Sequence, residues 1–241
     1  MTLVQGVISV LLSLAIALII AGPLAKPLHK HAWVFYLIAS IVTVLYLWYH
    51  FSKMYIPGIQ IWLAMLQKGW LSCWLLAIVM FTGCFDAHSP IRRHLQPIRA
   101  ELSILSFILM NAHAWYYLPI YLPNFFAYLS RDGWLGTSLV VSIVLTLLYV
   151  PLTITSIKYL RTHMSAKSWK HLQRWAYVLV ALLYLHIIFV LARPLFQGSA
   201  ISQGHAISLV VYTSLGVLYA IMRLAKWQRD RKATASITAA S

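Results

Sequence analysis

Between Lys170 and Ala192 the chain reads KHLQRWAYVLVALLYLHIIFVLA, and after Arg174 this stretch runs eighteen residues to Ala192 without a charged side chain. A hydrocarbon core about 30 Å thick takes about 20 mostly apolar helical residues to cross, so the stretch reads as a membrane span. One polar residue interrupts it, His186. Six further stretches read the same way, from Leu3 to Gly22, Ala32 to Tyr49, Gly69 to Phe85, Ile98 to Leu118, Gly133 to Ile157 and Ala206 to Leu224. Helices are expected throughout, because in lipid each backbone amide must be satisfied within its own segment and the runs lack the alternation of barrel strands.

The whole chain fits that reading. Of its 241 residues 61% are apolar and 10% charged, too few polar groups to cover a water-soluble core. The expected fold is an all-α polytopic transmembrane bundle of about seven spans. It divides into an N-terminal span and loop (1–31), an integral domain (32–225) and a basic, disordered tail (226–241). The first span lacks a basic leader and is followed by Lys26 and Lys30, which suits a retained anchor. A Pro57-Gly58 break followed by Ile59, Ile61, Trp62, Met65 and Leu66 marks a short interfacial helix or a plain hydrophobic connector.

Nineteen basic residues face four acidic ones. They are scattered over loops rather than gathered on one polar surface, which speaks against nucleic acid and for the bilayer as partner. With the N-terminus outside, Lys26, Lys30, Arg92, Arg93, Arg99, the Lys158–Arg174 group and the Arg223–Lys232 group all fall inside, and the C-terminus is cytoplasmic. Cys73 and Cys84 sit in or near the third span and read as small apolar fillers.

Ionisable groups at membrane depth need a partner or a function. His113 lies 14 residues past Arg99 and His186 lies 12 past Arg174. At 1.5 Å per residue both imidazoles stand about 20 Å above the inner boundary, at similar depth on two helices that run outward. Such a pair suits the axial ligands of a b-type haem, a proton relay or, less readily, a divalent metal. His50 and His205 end spans at the outer face and are reserve candidates for a haem edge or propionate. His171 lies about 60° round the helix from His186 and could face a second, inner cofactor, but the inner end of the fourth span offers no partner histidine. His29, His31, His88, His94 and His163 fall in inner loops and are expected to be solvated. Arg99 and Glu101 read as a pair with each other or with headgroups.

At this level the chain resembles the ferric reductase-like transmembrane family, nearest to the haem-binding membrane subunit of the bacterial methionine sulfoxide reductase system (the MsrQ type). The likeness rests on Arg99-x-x-Leu102, Phe107, His113 and Tyr117, on Pro151-Leu152 and Thr155-Ser156, and on Trp169-x-x-Leu172-Gln173-Arg174-x-x-Tyr177 followed by His186. The Pro90-Ile91-Arg92-Arg93 loop adds to it. The resemblance implies a six-helix core after one extra span, holding haem b on His113 and His186, with Arg99, Tyr117, Gln173 and Arg174 among the cofactor-binding positions. It also implies an electron donor on the inner side, a flavin reductase or quinone, with FMN as a further cofactor. The acceptor would be periplasmic, a protein such as a methionine sulfoxide reductase catalytic subunit or ferric or cupric ions, and the location the bacterial inner membrane. Gln173 departs from the family, whose relatives carry histidine there, and this favours one haem over two.

Overall fold

The computed structural model describes residues 3–198, 200 and 202–240. Among them there is no strand. The helices are α1 (Leu3–Ala21), α2 (Ala25–Lys30), α3 (Ala32–Phe51), α4 (Gln60–Gln67), α5 (Trp70–Thr82), α6 (Pro90–Leu95) and α7 (Arg99–Tyr121). They are followed by α8 (Phe125–Arg131), α9 (Gly133–Ile154), α10 (Lys158–Thr162), α11 (Ala166–Gln173), α12 (Trp175–Leu191), α13 (Arg193–Phe196) and α14 (Gln203–Ala240).

Among the described residues five spans are long and apolar enough to cross a membrane: Val4–Ala21, Ala32–Phe51, Gly133–Ile154, Ala166–Leu191 and Gln203–Lys232. Counting the bent pair α4 and α5 as one broken span makes six. Two of the seven expected stretches, the third and the fourth, stand outside the five. The third stretch yields only thirteen helical residues in α5, about 20 Å of rise, and meets α4 at a 51° bend. The fourth, α7, has ample length at 23 residues, but Asn111, His113, Trp115, Tyr116 and Tyr117 dilute its apolar character. That composition is tolerable because α7 is the inner helix, packed against α3, α4, α5 and α9.

The bundle is inverted relative to a water-soluble protein. Large apolar side chains such as Leu11, Leu37, Val44, Leu147, Val210 and Ile221 are exposed on its outside, while Ser9, Ser13, Ser72, Ser106 and Ser138 are buried within. Small hydroxyl residues let helices approach and supply hydrogen bonds across the gap. The tightest example joins α5, α7 and α9. Ser72 Oγ donates to the Ser106 carbonyl at 2.5 Å, Ser106 Oγ donates to the Ser72 carbonyl at 2.8 Å, and Tyr149 Oη donates to Ser106 Oγ at 2.7 Å.

Helices alternate in direction, so loop contacts sort into two ends. At one, the basic end, His94 bonds the Ala21 carbonyl (2.9 Å), Glu101 meets His29 (3.0 Å) and Arg223 donates to the Gly83 carbonyl (3.2 Å). Glu101 thus pairs with His29 rather than Arg99, and neither His29 nor His94 is merely solvated. At the other, the histidine end, Asp132 caps α9 through the Leu135 amide (3.1 Å) and pairs with Arg193. There Gly136 lets the backbone of α8 come close to α9: a Cβ on it would lie 2.6 Å from Leu129 Cα.

Two further expectations change. The helix foreseen between Phe51 and Lys68 exists as α4, but Ala64, Met65 and Leu66 are buried against α1, α5 and α7, so it is part of the bundle rather than a float at the interface. The segment from 226 is helical to Ala240 instead of disordered; Ser241 lies outside the described residues. The physical reason is that α14 arrives already nucleated, and Lys226, Arg229, Arg231 and the alanines are strong helix formers that extend it at little expense.

Candidate functional site

His113 on α7 and His186 on α12 face one another. Their ring centroids lie 6.4 Å apart with ring planes at 89°. In both rings Nδ1 is held by the protein. His113 Nδ1 is 2.7 Å from the Gln67 carbonyl, and a carbonyl only accepts, so this nitrogen carries the proton. His186 Nδ1 is 3.0 Å from both Ser138 Oγ and Ser142 Oγ. Ser142 spends its hydroxyl proton on the Ser138 carbonyl (2.8 Å), leaving its oxygen to accept from the imidazole. Each ring therefore presents Nε2 as a lone pair, and among the described residues no hydrogen bond engages either Nε2. Fixing Nδ1 in this way is how proteins orient an imidazole for a metal.

The Gln67 carbonyl is available because the helix breaks beside it. In a continuous helix it would accept from residue 71; here the chain turns through Gly69, whose φ of +68° suits a residue with no Cβ. The break points the carbonyl at α7, while the adjoining Lys68 carbonyl takes the Tyr212 hydroxyl of α14 at 3.5 Å. Below the pair, Met110 and Phe107 of α7 and Leu183 of α12 pack with the buried Leu76, Tyr149 and Leu179, an apolar floor.

The structure divides the residues singled out from sequence into groups. Tyr117 joins the histidine pair, its ring 4.9 Å from His113. His50 lies against Tyr116, ring centroids 4.1 Å apart at a 54° tilt, at the rim of the same aromatic cluster but on the tyrosine rather than the imidazole pair. His205, at the start of α14, keeps a buried Nδ1 with no hydrogen-bond partner among the described residues. Arg99 and Gln173 line a separate cavity of about 370 Å³ at the basic end, with Arg92, Tyr177, Tyr219 and Arg223. Arg174 and His171 are exposed and line neither site.

Sequence reading missed Gln67, Ser138 and Ser142 around the histidines, and Arg92 and Arg223 around the cavity. The two serines carry a signal, since they stand i and i+4 on one face of α9; the Gln67 carbonyl carries none beyond the glycine two residues on. Among the described residues no three or more His, Cys, Asp or Glu side chains converge, so the imidazole pair is not part of a larger ligand cage of those types.

No family model matches the chain, and no solved structure matches it. An uncharacterized protein of Treponema pallidum (strain Nichols) is 30% identical over 240 residues, which cover 97% of this chain and 64% of that protein. The chain thus spans just under two thirds of this relative's length, and the likeness runs through every helix that carries the two sites.

Proposed function

We propose that the chain is a membrane haem b electron-transfer subunit, with His113 and His186 as the axial ligands of a single haem. The observation that carries this reading is the pair of facing imidazoles, each with Nδ1 anchored and Nε2 left as a lone pair. The spacing fits: two imidazole nitrogens on one metal, each at about 2 Å with the ring centre about 1 Å beyond, put the centroids roughly 6 Å apart. The measured 6.4 Å agrees. A bound haem would supply a one-electron iron couple. The chain's own residues hold the imidazoles in one tautomer through Gln67, Ser138 and Ser142. They exclude water with the Met110, Leu76 and Leu183 floor and crowd one ligand with Tyr117.

In this reading the protein sits in a bacterial inner membrane with its N-terminus outside and C-terminus cytoplasmic. Electrons enter at the basic end from a flavin reductase or quinone, with FMN as an auxiliary cofactor. They leave at the histidine end to a periplasmic acceptor, a methionine sulfoxide reductase catalytic subunit or, in direct reduction, ferric or cupric ions. The positive-inside distribution of lysine and arginine supports the orientation.

The test is spectroscopic. Protein purified from a haem-replete bacterial host should show a b-type reduced-minus-oxidised spectrum with one haem per chain, lost in the His113→Ala/His186→Ala double variant. A colourless wild-type protein, or a spectrum that survives the double substitution, sinks the proposal and leaves the imidazoles as helix-to-helix hydrogen-bonding groups.

A further inference from the structure

The cavity at the basic end has a charge imbalance that the chain does not resolve. Arg92, Arg99 and Arg223 all line it, and Arg92 and Arg223 act electrostatically on Arg99 as like charges. The chain has four acidic residues in all, and each is engaged with another basic side chain. Glu101 meets His29, and Asp132 pairs with Arg193 at the opposite end. Asp86 lies 4.0 Å from Lys226 and 3.7 Å from Arg229. Asp230, which lines the same cavity, pairs with Lys226 at 2.9 Å. Among the described residues none of the three arginines makes an ion pair.

Two of them are also fixed. Arg92 Nη1 donates to the Phe85 carbonyl (3.1 Å) and Arg223 Nη1 to the Gly83 carbonyl (3.2 Å), and Arg223 lies over the Tyr177 ring at 5.1 Å. Each guanidinium uses one nitrogen on the loop after α5 and keeps the rest of its fork. Arg99, half-buried, has no hydrogen-bond acceptor among the described residues. Three converging guanidinium groups in a partly desolvated cavity are a costly arrangement that an oxyanion relieves, and planar forks match phosphate oxygens in pairs.

The cavity continues into an apolar groove. Met80 and Tyr219 line both, and from them the groove runs between α5, α12 and α14 past Leu76, Ala77, Leu183 and Gly216. A cationic chamber opening into a hydrocarbon-lined furrow on a membrane-facing bundle is shaped for a molecule with an anionic head and an apolar tail. We propose that the pocket and groove together bind a phosphate-bearing amphiphile, its phosphate among Arg92, Arg99 and Arg223 and its chain along α5, α12 and α14. The chemistry is shared by a phospholipid headgroup and by a soluble phosphorylated compound; the groove assigns the site to the lipid. This inference does not depend on haem, since the phosphate site lies at the other end of the bundle and the groove meets the histidine end only through Leu76 and Leu183.

The experiment uses the full chain, delipidated in neutral detergent and titrated in native mass spectrometry. The probes are dioleoyl-phosphatidylglycerol, dioleoyl-phosphatidylcholine and glycerol 3-phosphate. Phosphatidylglycerol should bind about 10-fold tighter than phosphatidylcholine, the ratio one charge-assisted hydrogen-bond set supplies. Arg99→Gln should bring that ratio toward one, Arg99→Lys should keep most of it, and Arg161→Gln, exposed on α10, should leave it unchanged. Glycerol 3-phosphate should bind more weakly than the lipid. No preference for phosphatidylglycerol in the wild type, or an undiminished preference in a folded Arg99→Gln, overturns the site for a net anionic phosphate head. Equal binding of glycerol 3-phosphate and phosphatidylglycerol overturns the lipid assignment in favour of a soluble phosphorylated ligand. The wild-type comparison of lipids stands even if a variant fails to fold.

Discussion

At the histidine end, the imidazole pair and the acidic cap meet partners of the chain's own making: the Gln67 carbonyl for His113, two serines for His186, Arg193 for Asp132. At the basic end three arginines share a cavity whose lining carboxylate, Asp230, pairs with Lys226. The first arrangement fixes neutral groups in one geometry and leaves lone pairs as the unspent chemistry. The second concentrates positive charge and leaves donors unspent. The difference teaches that the two ends offer opposite chemistry, the basis of the two proposals: lone pairs at one and hydrogen-bond donors at the other. Both could be lost without disturbing the serine and tyrosine contacts that hold α5, α7 and α9 together between them.

That contrast can be broken one feature at a time. The largest effect is expected from His186→Leu, which should abolish the b-type absorbance outright while the protein still elutes as one species; retention of the band would separate His186 from the cofactor. Gly136→Ala comes next, because its Cβ would meet Leu129 Cα at 2.6 Å and the Tyr128 carbonyl at 2.9 Å. Backbone cannot yield as a side chain does, so α8 must move, and a loss of about 2–3 kcal/mol is expected in thermal unfolding in detergent. An unchanged midpoint would mean that α8 does not rest on α9 there.

Ser106→Ala strikes between the two ends. It removes the acceptor of Tyr149 and one of the reciprocal bonds to Ser72, so about 1–3 kcal/mol of stability should go, read in the same unfolding assay. Haem content should stay at one per chain, which tests whether the middle of the bundle is independent of the histidine end. Gly69→Ala should cost about 1–2 kcal/mol for the left-handed conformation alone. It should also perturb the electron paramagnetic resonance of the oxidised haem by shifting the Gln67 carbonyl; an unaltered signal would uncouple the helix break from His113. His29→Gln should be the mildest, under about 0.5 kcal/mol, because His29 is 59% exposed and its pairing with Glu101 is screened by solvent. A larger loss would show that the basic end is tied together more firmly than its exposed contacts imply.

Composition and hydropathy alone made the helical bundle legible, since uncharged runs such as Trp175–Leu191 have no other low-energy state in lipid. The pairing of His113 with His186 was legible too, because residues counted from Arg99 and Arg174 convert directly into depth. Legibility failed where structure is made by backbone rather than side chain. Gln67 contributes only its carbonyl, exposed by a bend at Gly69 that no hydropathy count registers. It failed again where residues distant in sequence converge. Arg92, Arg99 and Arg223 come from three separate segments, each with its own local reason to be basic, so sequence reads them as loop charge. The tail was misjudged because its small polar residues were weighed by themselves instead of as a continuation of α14.

The bend between α4 and α5 also bears on how the chain enters its membrane. A segment of thirteen residues is too short to partition stably as a lone rod, and α4 adds length only at an angle. Its permanent seat is made by α7, through the Ser72–Ser106 clasp and the seat His113 gives Gln67, and α7 follows it off the ribosome. During synthesis, then, this hairpin must wait at the insertion machinery until its successor emerges. The same broken helix that prepares the imidazole sets the order in which the protein is assembled.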